Sequence, residues 1–159
     1  MNPDNLKRQL RIQMQLRLRE LSTEDREASS VTICERVLAL PVWKSAHVVS
    51  VFEPMRAEPQ IELLVDDLRR HGREIITILP TARAHEDISL IVPLDLVLVP
   101  GLAFTREGAR LGRGGGFFDR FLFHRAQSAA KIGVGFAFQI VDTLPQEAHD
   151  VKLDAVITD

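Results

Sequence analysis

The stretch that decides the fold is residues 96–118, LVLVPGLAFTREGARLGRGGGFF. It opens with the apolar run from Leu96 to Val99, which is typical of a strand buried on both faces of a sheet. It closes on Phe117-Phe118, where a helix is predicted to begin. Between the two, four glycines fall within residues 112–116. A strand, a glycine loop and a helix in this order are typical of a phosphate-binding site.

The glycine loop is also basic, because Arg110 and Arg113 flank its first glycine. Glycine reaches positive φ without strain, so that successive backbone N–H groups can turn toward one anion. The glycine spacing is neither that of a Walker A loop nor that of a dinucleotide fingerprint. A flexible connector is the alternative, but such linkers favour serine and avoid aromatic residues. The residues alone predict a phosphate-binding loop and no particular reaction.

Hydrophobic periodicity elsewhere predicts helices that alternate with strands. Helices are predicted at 5–21, from Thr23 to about Leu40 behind a cap at Ser22, and at 60–71 before Gly72. Strands are predicted at 47–52, 74–79, 88–92, 95–99, 131–137 and 155–158. The alternation predicts an α/β fold with a mostly parallel sheet and helices on both faces, a Rossmann-like three-layer arrangement. The glycine loop should lie beyond the carboxyl ends of the strands, where such sheets bind ligands.

Length and composition indicate an ordinary globular protein. The chain of 159 residues is expected to form a single domain, and its net charge of −2 argues against a nucleic-acid partner. The polar N-terminus and the lone cysteine favour the cytoplasm, and the sequence lacks an apolar run long enough to span a membrane. We expect Cys34 to be a buried core thiol and favour a monomer.

Residues 99–104 (VPGLAF) and 108–116 (GARLGRGGG), followed by two aromatic residues and Asp119, resemble the 5-formyltetrahydrofolate cyclo-ligase family, also called methenyltetrahydrofolate synthetases. Supporting matches are Lys7, Arg11, Leu40-Pro41, Glu58, His149-Asp150 and Asp154. Enzymes of this family use Mg-ATP to convert 5-formyltetrahydrofolate to 5,10-methenyltetrahydrofolate. They phosphorylate the formyl oxygen, so that N10 can close the ring and expel phosphate. The resemblance therefore implies an ATP-driven ligase for a reduced folate.

The resemblance also assigns residues. It implies ATP contacts from Lys7, Arg11, Arg110, Leu111, Gly112, Arg113, Gly114, Gly115, Gly116, Phe117 and Phe118, with Arg113 and Arg110 assisting the transfer. It implies that Asp119 and Asp150 hold Mg²⁺, which proteins bind through one or two carboxylates. It implies that Phe52, Glu58 and Phe117 contact the folate. We expect His149 to be a supporting residue and Asp154 to be structural.

Each assignment has a structural alternative. Lys7 and Arg11, four residues apart, would share a solvated basic helix face. Asp119 would cap a helix, and Glu58 before Pro59 would open one.

The chain departs from the family pattern at three places, one of which is Ile61, where relatives often have threonine. Phe117-Phe118 stands where relatives usually have two tyrosines, and the segment between Pro80 and Asp95 lacks their Gly-Ile-x-Glu-Pro motif. One alternative is therefore a non-catalytic or altered-substrate member that binds ATP or another phospholigand. A second alternative is a nucleic-acid-binding module that uses the basic first helix, residues Lys7, Arg8, Arg11, Arg17 and Arg19, together with the glycine loop.

Overall fold

A computed structural model describes residues 2–79 and 93–159 of the protein. The helices are α1 (Pro3–Glu20), α2 (Thr23–Leu38), α3 (Pro41–Ser45), α4 (Glu62–Arg70) and α5 (Phe117–Arg125). The strands are β1 (Val48–Phe52), β2 (Glu74–Ile78), β3 (Leu96–Val99), β4 (Ala103–Phe104), β5 (Arg110–Leu111), β6 (Ala130–Val134) and β7 (Ala155–Ile157). The strand predicted at 88–92 lies outside the described residues.

The main sheet of the described ranges has the strand order β2-β1-β3-β6-β7, and every neighbouring pair is parallel. The central strand β3 is buried at all four positions. Its side chains alternate between two apolar clusters, since Leu96 and Leu98 pack with residues of α1 to α4, whereas Val97 and Val99 pack with residues of α5. The predicted α/β fold with helices on both faces of a parallel sheet is confirmed.

The predicted helix boundaries follow from local chemistry. Ser22 caps α2, because its Oγ accepts a hydrogen bond from the Asp25 N–H at 3.1 Å. Gly72 follows the end of α4 with φ of 64°, a left-handed conformation that glycine adopts without a Cβ clash. Both signals were visible in the sequence. Among the described residues, no helix is both long and apolar enough for a membrane crossing.

The β4–β5 hairpin was not predicted. We expected Arg110 and Leu111 to belong to the glycine loop, but they pair antiparallel with Phe104 and Ala103. The hairpin turns at Gly108, whose φ of 97° favours glycine and whose carbonyl oxygen accepts the Leu153 N–H at 2.9 Å. Two-residue strands are too short to show an alternating pattern, which is why the sequence did not reveal them.

Two aspartates join neighbouring strands at the amino end of the sheet. The Asp95 N–H donates to the Val48 carbonyl at 2.9 Å, and its Oδ2 accepts the His47 and Val48 N–H groups, each at 2.8 Å. Asp154 repeats this arrangement, donating to the Lys131 carbonyl and accepting the Lys131 N–H, both at 2.8 Å. The predicted structural role of Asp154 is confirmed. The backbone donors from Val48 and His47 lower the pKa of Asp95.

We predict that Asp95→Asn destabilises the protein at neutral pH but not in acid. Because the folded-state pKa of Asp95 lies below its unfolded value, the stabilisation is present above the unfolded pKa and is lost as pH falls through the folded pKa. Urea unfolding between pH 7 and pH 3 should show a lower midpoint for the variant at pH 7 and converging midpoints in acid. Asp142→Asn, at an exposed position, is the control. Equal midpoints for Asp95→Asn and the unsubstituted protein at pH 7 would contradict the prediction.

Candidate functional site

A cleft of about 580 Å³ opens at the carboxyl ends of the central strands. Phe52 ends β1, Ile78 ends β2 and Pro100 follows β3, and all three line it. Among the described residues, the glycine loop, α1 and the segment 147–150 also line it. The cleft thus lies where the fold class predicts a ligand site. It brings together every residue to which the family resemblance assigns a contact with ATP, metal or folate: Lys7, Arg11, Phe52, Glu58, Arg110, Leu111, Gly112, Arg113, Gly114, Gly115, Gly116, Phe117, Phe118, Asp119 and Asp150.

The glycine loop has a conformation that requires glycine at two positions. Gly114 and Gly116 have φ of 111° and 70°. Gly116 is also the residue before α5, so the loop leads directly into the amino end of this helix. A Cβ at Gly116 would lie 2.8 Å from Nη1 of Arg120. The predicted order of strand, glycine loop and helix is therefore present, with the β4–β5 hairpin inserted between the strand and the loop.

Two arginines hold the loop from opposite sides. Nε of Arg11, on α1, donates to the Gly112 carbonyl at 2.9 Å. Nη2 of Arg120, on α5, donates to the Gly115 carbonyl at 3.0 Å. These bonds favour a defined loop over a flexible connector. They also show that Arg11 does not lie on a solvated basic face, in contrast to its exposed neighbour Arg8.

Arg110 is the buried cation of the site, with a side chain only 5% exposed. Its Nη1 donates to the Pro100 carbonyl at 2.9 Å, and its Nη2 lies 3.7 Å from Oδ1 of Asp119. The guanidinium carbon lies 5.4 Å from the centre of the Phe118 ring. Nε of Arg110 has no hydrogen-bond partner among the described residues.

Burial lowers the pKa of Arg110, and the charges of Asp119, Asp150 and Glu58 oppose this shift. Three carboxylates predicted for two different ligands therefore act on one guanidinium. The residue that precedes α5 is Gly116, and Asp119 lies within the first turn, so the alternative that Asp119 is the cap residue is wrong.

Glu58 is a buried acid of the same cleft, only 7% exposed. Its Oε1 accepts the Met55 N–H at 2.8 Å. Burial raises the pKa of Glu58, although the Met55 hydrogen bond and the charges of Arg113 and Arg110 act against the shift. Because α4 begins at Glu62, Glu58 does not open a helix and that alternative is wrong.

The segment 147–150 supplies a group of ligand atoms that the sequence analysis identified only in part. Glu147, His149 and Asp150 each offer one donor atom, and these atoms lie within 4.8 Å of one another. Asp150 was predicted and His149 was considered, but Glu147 was missed. The run of three donor residues within four positions was the available signal. Lys7 reaches this group, with its Nζ 3.3 Å from Oε2 of Glu147, so its solvated-face alternative is wrong.

Another part of the cleft lining, within the described ranges, consists of apolar side chains. Phe52 and Ile78 are buried there, whereas Met55 and Leu79 are exposed at 38% and 47%. Met55, Ile78 and Leu79 were not predicted, because single apolar residues after strands carry no distinctive pattern. An apolar wall facing a basic loop suits a ligand with a flat organic part and an anionic part.

Cys34 lies outside the cleft. Burial raises the pKa of its thiol to about 11, and its Sγ donates to the Gln60 carbonyl at 3.4 Å. A thiol with this pKa is protonated at neutral pH and is a poor nucleophile. The predicted core role of Cys34 is confirmed.

We predict that Glu58→Gln becomes more stable relative to the unsubstituted protein as pH rises. The folded-state pKa of Glu58 lies above its unfolded value, so the folded state is favoured at low pH and loses this advantage as pH rises through the folded pKa. Glutamine keeps an oxygen that can accept the Met55 N–H and does not titrate. The difference in thermal midpoint, Glu58→Gln minus unsubstituted, should therefore increase from pH 4 to pH 7.5. An unchanged difference would contradict the prediction, and Glu53→Gln, at an exposed cleft position, is the control.

Comparison with known proteins agrees with this architecture. The family model described as the 5-formyltetrahydrofolate cyclo-ligase family matches residues 3–93 and 80–159. The 5-formyltetrahydrofolate cyclo-ligase of Mus musculus is 27% identical over 190 residues, which cover 97% of this chain and 94% of the relative. That of Escherichia coli K12 is 28% identical over 171 residues, covering 89% and 94%.

Two solved structures have the same fold over nearly the whole chain. The 5,10-methenyltetrahydrofolate synthetase of Mycoplasma pneumoniae superposes with a TM-score of 0.79 at 26% identity, covering 96% of this chain and 98% of the other. The 5,10-methenyltetrahydrofolate synthetase of Aquifex aeolicus gives 0.76 at 28% identity, covering 96% and 89%. Together with the family match over both halves, this shows that the chain belongs to the 5-formyltetrahydrofolate cyclo-ligase family.

Proposed function

We propose that this protein converts 5-formyltetrahydrofolate to 5,10-methenyltetrahydrofolate with ATP, releasing ADP and phosphate. The observation that carries the proposal is that one cleft of this family member holds buried Arg110 beside the glycine loop, with the charges of Asp119, Asp150 and Glu58 acting on it. Glu58 lies on the side proposed for the folate, and Asp119 and Asp150 lie on the side proposed for the metal. A reaction that transfers a phosphoryl group from a nucleotide to a second substrate needs both binding sites in one cavity.

The reaction has two steps. The formyl oxygen attacks the γ-phosphorus of ATP, the bond to the leaving ADP oxygen breaks, and the formyl carbon becomes electrophilic. N10 then bonds to this carbon and releases its proton to solvent, and the formyl oxygen leaves with the phosphate. Phosphoryl transfer depends mainly on positioning and charge stabilisation, which a loop with several cations supplies.

In this proposal the glycine loop holds the triphosphate. Arg113 is exposed at the cleft and is free to meet the transferring phosphate, whereas Arg110 acts from below the loop. Arg11 positions the loop through the Gly112 carbonyl, and Lys7 adds a charge from the same helix face. Leu111, Phe117 and Phe118 shape the apolar part of the nucleotide site.

The donor set suits Mg²⁺, which prefers carboxylate oxygens and retains several waters. Asp119 and Asp150 would hold the ion, and both act on the guanidinium of Arg110. When bound, Mg²⁺ supplies charge neutralisation at the phosphate oxygens. Removal of divalent ions should therefore abolish turnover.

The folate is proposed to lie against Phe52 and Phe117, with Glu58 accepting hydrogen bonds from the donor edge of the pterin. A carboxylate accepts through both oxygens, and one Glu58 oxygen accepts the Met55 N–H. Arg110 and Arg113 favour its charged form.

The altered-substrate alternative gains no support from the comparisons. The 190-residue alignment with the mouse enzyme is longer than this chain of 159 residues, so relatives do contain additional segments. The Mycoplasma pneumoniae 5-formyltetrahydrofolate cyclo-ligase, however, aligns over 162 residues that cover 98% of its length. A chain of about this size thus carries the cyclo-ligase name, which supports activity here. The cytoplasmic location and the monomeric state remain predictions.

We predict that Asp119→Ala lowers cyclo-ligase activity roughly 100-fold or more, because phosphoryl transfer would lose a metal ligand and the neutralising partner of Arg110. The protein is incubated with Mg-ATP and 5-formyltetrahydrofolate while the methenyl absorbance is followed. Asp142→Ala is the matched control, and omission of ATP gives the background.

Absorbance that grows without ATP would contradict the proposed reaction, and full activity in Asp119→Ala would contradict the metal assignment. If no methenyl product forms while ATP still binds in a calorimetric titration, the altered-substrate alternative replaces the proposal.

A further inference from the structure

The ammonium group of Lys7 lies among the ligand atoms of the segment 147–150. Its Nζ is 3.3 Å from Oε2 of Glu147 and 4.0 Å from Oδ2 of Asp150. The Lys7 side chain is only 11% exposed, so it crosses the cleft wall to reach these acids. The ammonium carries one positive charge and three N–H donors, and here it lies near the charges of both carboxylates.

Asp150, proposed above as a metal ligand together with Asp119, also forms one group of possible ligand atoms for a divalent ion with Glu147 and His149. Nε2 of His149 lies 3.2 Å from Oε2 of Glu147 and 3.7 Å from Oδ1 of Asp150. Adjacent ligands of an octahedral ion with bonds of about 2.1 Å lie roughly 3 Å apart, so these separations fit with small side-chain movements. Carboxylates and an imidazole suit Mn²⁺ as well as Mg²⁺.

Asp150 is held ready for either cation. Its Oδ2 accepts the Glu147 N–H at 2.8 Å, and its own N–H donates to the Glu147 carbonyl at 3.0 Å. The two acids therefore keep a fixed relation through the backbone of one turn. Both carboxylates are therefore already in place when a divalent ion replaces the ammonium of Lys7.

Lys7 also lies within reach of a second anionic position. It lines the same cleft as the glycine loop, and Arg11, one helical turn away, is fixed to the Gly112 carbonyl. The backbone of α1 is thereby anchored at the loop, while the four-carbon stem of Lys7 can turn. A change in its side-chain torsions would move the ammonium from the carboxylates toward a triphosphate on the loop.

We infer that Lys7 and a divalent metal ion compete for Glu147 and Asp150. In the metal-free protein Lys7 neutralises the two carboxylates, and it leaves them for the triphosphate when the metal site fills. Only the triphosphate half of this exchange rests on the proposed function. Because each ligand releases a group that the other one needs, metal and nucleotide bind cooperatively.

The test measures the affinity for Mn²⁺ without nucleotide, by electron paramagnetic resonance of the free ion. Lys7→Met keeps the length of the stem but lacks the charge, and it should bind Mn²⁺ roughly two- to fivefold more tightly than the unsubstituted protein, the range expected for loss of a partly exposed ion pair. Arg8→Met, at an exposed position of the same helix, is the control for overall charge and should change the affinity less than twofold. Adding Glu147→Gln to Lys7→Met should abolish the gain.

The second measurement is the affinity for ATP, for which the opposite effect is expected. ATP without a metal should bind Lys7→Met several-fold more weakly, since the ammonium is no longer available to the triphosphate. Lys7→Gln should reproduce both results, and circular dichroism melting verifies that each variant is folded.

Equal Mn²⁺ affinities of Lys7→Met and the unsubstituted protein would overturn the inference, as would an equal gain in Arg8→Met or the absence of Mn²⁺ binding in every variant. Failure of the proposed reaction is distinguishable. In that case no methenyl product forms, yet Lys7→Met still binds Mn²⁺ more tightly.

Discussion

The guanidinium of Arg110 is buried, and polar and acidic groups of the cleft replace the hydration that its charge has lost. A buried charge is strongly destabilising unless hydrogen bonds and opposite charges surround it. The Pro100 carbonyl and Asp119 contact the guanidinium directly, and Glu58 and Asp150 act on it from farther away. The positive charge of the guanidinium thus offsets the mutual repulsion of Asp119, Asp150 and Glu58 within one cleft.

Backbone geometry makes this burial feasible. A Cβ at Gly101 would lie 2.8 Å from the ring of Phe104 and 3.1 Å from Cγ of Arg110, so glycine allows the chain to pass between the two side chains. The β4–β5 hairpin places Arg110 beneath the loop that follows it. The two ends of the parallel sheet have different roles. Asp95 and Asp154 fasten strands at the amino end, and the carboxyl end carries the cleft.

The aromatic pair after the glycines is an anchor of α5. Phe117 and Phe118 meet edge to face with ring centres 5.4 Å apart, and Phe117 stacks on Phe121 at 6.1 Å. The chain has no tyrosine, so tyrosine hydroxyl groups do not hold the start of α5 in place. Apolar packing below the helix and the arginine hydrogen bonds to Gly112 and Gly115 fix it instead.

The sequence by itself determined the order and type of the main elements, because periodicity, caps and glycine conformations are local properties. It also indicated the residues that line the cleft, through the glycine loop and the family resemblance. It could not show which alternative held for Glu58 or Asp119, since burial and pairing depend on distant residues.

Only the tertiary structure decided that Arg110 is buried, that β4 and β5 pair, and that Lys7 meets Glu147. The last contact joins the first helix to a turn near the other end of the chain. Such contacts join residues that are distant in sequence, and forming them costs the chain entropy of a long loop. A local sequence pattern therefore does not predict them.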